Sequence, residues 1–113
     1  MRCERLDVWK RSCRLSVEVY RSFASCKDFG FKDQITRSSL SIASNIAEGM
    51  EKESDKDKSR FINISQGSAA ELITQIYIGI EIGYAEKTTG LAWIKEINEI
   101  LSMLTALKRS YAK

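Results

Sequence analysis

Four long stretches of this chain repeat their apolar residues at helical spacing, and no proline interrupts them, because the sequence contains none. Proline inside a helix removes a backbone hydrogen bond and clashes with the preceding turn, so its absence leaves long helices unopposed. The periodicity predicts a first helix over Asp7–Cys26, stopping at KDFGF, and a second over Lys32–Met50. A third begins at SDKD, where Ser54 can cap the first turn and Asp57 occupies the capping-box position, and runs to Tyr84. The fourth spans Thr89–Tyr111. No segment alternates with period two, so no strand is expected. Short connections favour antiparallel neighbours, and the expected fold is an all-α, up-down-up-down four-helix bundle forming a single domain over residues 1–113.

A chain of 113 residues is long enough to bury a core without covalent staples. No apolar run reaches the length of a membrane span, and the N-terminal MRCERLDVWK lacks the apolar region of a secretory signal. A cytoplasmic location with no membrane partner is the expectation. Cys3, Cys13 and Cys26 are odd in number and widely spaced, which fits reduced thiols, with Cys13 and Cys26 expected in the core. With no histidine and no paired cysteine motif, no metal or cofactor is expected.

Helical wheels sort the side chains into faces. On the first helix Trp9, Cys13, Leu15, Val19, Tyr20 and Phe23 share an arc, and Lys10, Arg14 and Arg21 lie opposite, within about 40° of one another. Trp93, Ile97, Ile100 and Leu104 mark the apolar face of the fourth. The third is unusual. Phe61, Ser65, Ser68, Leu72, Ile76, Gly79 and Gly83 form one stripe, and Ile62, Ile73, Tyr77, Ile80 and Tyr84 a second beside it. With Ile64, Ile78 and Ile82 added, the apolar arc exceeds half the wheel. A corner helix of a monomeric bundle does not need that much burial. Either the helix is deeply sunk in its own bundle, or Ile62, Ile73, Tyr77 and Ile80 serve a subunit interface.

The second helix places Asn45 and Glu48 beside its Ile35, Ser39, Ile42, Ile46, Met50 stripe and then reaches Gly49. On the third, Arg60 and Glu71 lie at the edge of the Phe61 stripe. The connection EKES is short, so Glu48 is expected to pair with Arg60, with Asn45 reaching toward Ser68 or Glu71 where the small Gly67 and Ser68 let the helices approach. Glu48 and Glu71 make a poor catalytic pair. A di-metal bundle needs about four carboxylates and Glu-x-x-His motifs, and acid–base chemistry needs a pocket that nothing here predicts. An inter-helix polar network fixing register is the expected role.

These same segments carry a resemblance. LSIASNIAEG (40–49) followed by SRFINISQGSAAELITQI (59–76), together with LDVWKRS (6–12) and QITRSSLSIA (34–43), resembles the bacterial four-helix family known as intervening-sequence proteins. The family is named for members encoded in insertions within large-subunit ribosomal RNA genes. The resemblance covers almost the whole chain. Asn45, Glu48, Gly49, Arg60, Gly67, Ser68 and Glu71 match its signature. Ala43 departs from it, standing where the family often has proline, which implies a straighter second helix. The resemblance implies a ring-like homo-oligomer, commonly a pentamer, and no enzymatic activity. A related branch serves as accessory subunit of diversity-generating retroelements, binding a reverse transcriptase and nucleic acid.

Two functions follow as expectations. One is a non-catalytic oligomeric scaffold that binds RNA, DNA or a nucleoprotein. The other is a purely structural or protein-binding oligomer. Net charge is +3, and the isoelectric point of about 8.8 is below that of a strongly basic binding domain. Residues 1–11, 48–60 and 105–113, which share one end of such a bundle, hold 11 basic and 7 acidic groups, whereas residues 22–40 and 78–93 hold 4 of each. A solvated surface carries such an excess as readily as a binding surface does. Candidate phosphate contacts are Lys10, Arg11, Arg14, Arg21, Lys108 and Arg109. No aromatic-basic motif points to sequence-specific reading.

Overall fold

The computed structural model describes residues 1–112. Lys113, counted above in the basic end, lies outside the described residues. Four helices form: α1 (Asp7–Ser22), α2 (Phe29–Met50), α3 (Asp55–Glu81) and α4 (Lys87–Ser110), preceded by a single 3-10 turn at Arg2–Arg5. Each helix packs on its chain neighbours, and α1 also packs on α4, whereas the backbones of the diagonal pairs stay apart. The cross-section is therefore a square with α2 opposite α4. The molecule measures 45 × 21 × 20 Å, its length set by the 27 residues of α3.

Local chemistry explains the ends. Ser54 caps α3 as expected, its hydroxyl accepting from the Asp57 N–H at 3.1 Å. The Asp57 carboxylate faces Arg60 at 3.9 Å instead of closing the box. α2 starts earlier than periodicity suggested, because Asp28 caps it by accepting from the Phe31 N–H at 3.1 Å. α3 stops where Gly83 takes a φ of +83°, a left-handed conformation that glycine adopts without Cβ strain, and the amides of Tyr84 and Ala85 both return to the Gly79 carbonyl. α1 ends at Ser22, short of the expected Cys26, yet Phe23 just beyond it stays buried.

The core joins all four helices through fully buried aliphatics, among them Leu15, Ile42, Ile62, Leu72, Ile97 and Leu104. One end is closed by aromatics. Phe31 stacks edge-on with Tyr84 at 5.2 Å between centroids, and Phe23 sits between Phe31 and Trp93. At the other end the Arg2 amide donates to Glu51 at 2.9 Å and its guanidinium to the Met50 and Lys52 carbonyls. All three cysteines are free thiols. Cys3 is the fully buried one, while Cys13 and Cys26, expected in the core, are only half-buried.

Candidate functional site

The α2–α3 seam holds the polar residues that the sequence singled out, but it joins fewer of them than expected. The Asn45 amide donates to the carbonyl and hydroxyl of Ser41, at 2.8 and 2.9 Å, one turn back on its own helix. The Ser41 hydroxyl meets that of Ser68 across the seam at 2.8 Å. Ser65 donates to the Ile42 carbonyl at 2.8 Å. Asn45 thus reaches Ser68 through Ser41, and Glu71 is not part of the network. Short hydroxyls suit this place, because they satisfy one another without holding two helices apart. The Oε1 of Gln75, also on α3, is buried without a donor among the described residues.

Close approach depends on Gly49. A Cβ there would lie 2.8 Å from Cβ of Phe61, whereas a Cβ on Gly67 would meet nothing within 4 Å. The expected role of Gly67 as a packing glycine is therefore corrected, since it faces solvent.

The expected Glu48–Arg60 ion pair is also corrected. Glu48 is exposed and forms no salt bridge among the described residues. The Arg60 guanidinium lies 4.7 Å from the centroid of the Phe61 ring on its own helix, and 3.9 Å from Asp57. Both residues sit about 100° round their helices from the Gly49–Phe61 contact, so both project outward from the seam.

Of the four residues expected at a subunit interface, most belong to the core of the chain's own bundle. Ile62 is fully buried, and Ile73 and Ile80 pack on the core, leaving only Tyr77 exposed. The reason is α4: Ile80 fits against Gly90, where any Cβ would lie within 2.6 Å of its Cδ1. The isoleucines left in solvent are Ile64, Ile78 and Ile82, which are 42%, 48% and 52% exposed on the α2 side of α3. These three and Glu71 fall within about 40° on the wheel.

The basic candidates divide. Lys10, Arg14, Arg21 and Arg109 are exposed without salt bridges among the described residues. Arg11 instead binds α1 to α4, its Nε donating to Glu96 at 2.8 Å and its guanidinium also to Glu99 at 2.7 Å. Those hydrogen bonds hold the Arg11 guanidinium more firmly charged and keep the Glu96 carboxyl below its usual range. Lys108 donates to Asn63 at 2.7 Å and Gln66 at 3.3 Å, joining α4 to α3. Single-helix wheels showed that both residues carry charge but not that a neighbouring helix supplies acceptors. Among the described residues no three histidine, cysteine, aspartate or glutamate side chains could hold a metal ion. No described helix is long and apolar enough to cross a membrane.

The same architecture occurs in the crystal structure of a protein with unknown function from the S23 ribosomal protein family of Bacteroides thetaiotaomicron VPI-5482. It is 25% identical, with a TM-score of 0.83 over 89% of this chain and 97% of that one. No curated protein matches the chain. Residues 4–106 match the family described as 23S rRNA-intervening sequence protein. With that match spanning nearly the whole four-helix bundle, the chain belongs to the 23S rRNA-intervening sequence protein family.

Proposed function

We propose that this chain is a non-catalytic building block of a small homo-oligomer, a pentamer by its family resemblance, whose outward surface binds RNA or DNA phosphates. The observation that carries the assembly is the Ile64, Ile78, Ile82 flank. Singly exposed apolar residues are ordinary, but an aligned row of them on one helix marks an interaction surface. A non-catalytic role fits the seam, because Glu48 and Glu71, the two carboxylates nearest it, stand exposed on the surface.

The phosphate-binding part rests on Lys10, Arg14 and Arg21, which share the outer face of α1 and have no salt-bridge partner among the described residues. Each site is weak, and repetition around an oligomer raises avidity without new contacts. Backbone contact of this kind discriminates little between sequences. Its affinity falls with salt, with a log–log slope of roughly −0.7 to −0.9 per phosphate neutralised. The test is a fluorescence titration of mixed-sequence RNA and DNA oligonucleotides at about 50 mM and about 200 mM salt. Binding is expected at the lower salt, weakened at the higher, and weakened again by Arg14→Glu with Arg21→Glu while mass and helicity stay unchanged. No binding at the lower salt favours a protein-only scaffold in the cytoplasm. Binding indifferent to salt and to the double substitution rejects this patch.

A further inference from the structure

The 3-10 turn ahead of α1 is held differently from the four helices. It packs on α1 and α2, and its backbone stays apart from α3 and α4. Cys3 is its one buried residue, while Arg2, Glu4 and Arg5 are exposed. Leu6 separates the turn from α1, its backbone extended at φ −81° and ψ 122°.

The rest of its grip comes from Arg2. The Arg2 amide donates to Glu51 at 2.9 Å, and the guanidinium donates to the Met50 and Lys52 carbonyls at 3.4 Å each and to Glu53 at 3.3 Å. All these acceptors lie where α2 ends and turns toward α3. The last carbonyls of a helix lack intrahelical donors and carry the negative end of its dipole, and a basic side chain in the last turn answers both needs. α2 has no basic residue in its own last turn. Arg2 supplies that charge from 48 residues away along the chain. Lys58 of α3 donates to the same Lys52 carbonyl, so one acceptor ties the turn to the start of α3.

This hold is weaker in kind than the core. The Arg2 side chain is 53% exposed and that of Glu53 90%, and an ion pair in water contributes little. Releasing the turn uncovers the small Cys3 side chain and part of Leu6, whereas releasing any helix opens the shared aliphatic core. Segments with few buried apolar contacts and solvent-exposed hydrogen bonds open at a lower free energy than the whole molecule.

We infer that residues 1–5 form a clasp that swings open about Leu6 while the four helices stay folded, and that Arg2 is its latch. Closed, the clasp caps the C-terminus of α2 and seals the Cys3 thiol from solvent. Open, it presents the thiol and the freed carbonyls of Met50 and Lys52. Burial pushes the Cys3 thiol above its ordinary pKa, and a buried neutral thiol is inert, so its reactivity reports the open state. Neither the oligomer nor phosphate binding is needed for this device.

The test is modification of the unsubstituted protein by excess N-ethylmaleimide, with Cys3 followed by peptide mass spectrometry and global stability measured by urea unfolding. Cys3 is expected to react well below the rate of the same thiol in urea-unfolded protein, yet faster than global unfolding permits. That rate should barely change at low urea, because opening the clasp exposes little surface. Arg2→Ala is expected to speed the reaction about three- to tenfold, the effect of losing one net hydrogen bond. Arg5→Ala is the control, at a neighbouring arginine that is exposed and forms no salt bridge among the described residues, and should change nothing. A Cys3 rate that climbs with urea as steeply as global unfolding would show that the turn opens only with the bundle and overturn the clasp. A rate equal to that of the unfolded protein would show that the turn is never closed. A rate unchanged by Arg2→Ala, or raised equally by Arg5→Ala, would remove Arg2 as the latch.

Discussion

Gly49 and Phe61 hold α2 and α3 together at a point where a single added carbon would lie 2.8 Å from Cβ of Phe61 and 3.5 Å from the Lys58 carbonyl. The phenyl ring at this contact is covered in turn by the Arg60 guanidinium and the Lys52 ammonium, at 4.7 and 5.1 Å from its centroid. Close helix approach, the buried ring and its cationic cover form one unit at the end where α2 turns into α3.

Gly49→Ala is expected to destabilise the fold by about 1–3 kcal/mol, the usual cost of forcing a methyl group into a packed contact. Gly67→Ala is its control, since a Cβ there meets nothing within 4 Å. Losing a glycine from an open helix position should stabilise by up to about 1 kcal/mol. Urea unfolding of both variants checks the contrast, and equal effects would remove Gly49 from its role.

Ser41 and Ser68 are expected to be coupled, because removing either hydroxyl leaves the other without its partner across the seam. The cycle Ser41→Ala, Ser68→Ala and the double variant should show an interaction energy of at least about 0.5 kcal/mol. Glu48→Gln and Arg60→Met, by contrast, should add to within about 0.3–0.5 kcal/mol. Coupling in the second cycle would restore the ion pair that the structure lacks.

Glu96 gives the bundle an acid-sensitive link between α1 and α4. Arg11 holds its carboxyl below the usual range chiefly by hydrogen bonding. Partial burial opposes this, and the charges of Arg11 and Arg14 reinforce it. A depressed carboxyl stabilises the fold above its unfolded value of about 4.3, and that stabilisation is lost as pH falls through the folded value. Glu96→Gln should cost about 1–3 kcal/mol at neutral pH. The deficit against the unsubstituted protein should shrink as pH falls through the depressed folded value and the carboxyl takes up its proton. Urea midpoints of the two proteins across a downward pH series check this, and a pH-independent deficit would reject the link.

The architecture was legible from the sequence because periodicity alone names four helices, and short connections leave few ways to arrange them. The Ser54 cap was legible because a side chain bonding an amide three residues on is a local event. Other features depend on what lies across a helix boundary. Ile62 and Ile64 both border the α3 stripe, and only the position of α4 decides that the first is core and the second surface. Arg11 and Arg14 read alike on one helix, yet only Arg11 meets Glu96 and Glu99. Wheel angles put Glu48 and Arg60 near the seam, but the two side chains leave it on the solvent side. There Arg60 finds a nearer partner in Phe61.

The central claim is that the uncovered isoleucines of α3 belong inside an assembly, and the mass of the unsubstituted protein tests it most directly. Light scattering coupled to size exclusion at micromolar concentration, with the absorbance ratio followed across the peak, reads both the number of copies and any nucleic acid that travels with them. The account predicts a single species of several chains, five by the family resemblance. A species with the mass of one chain would contradict it.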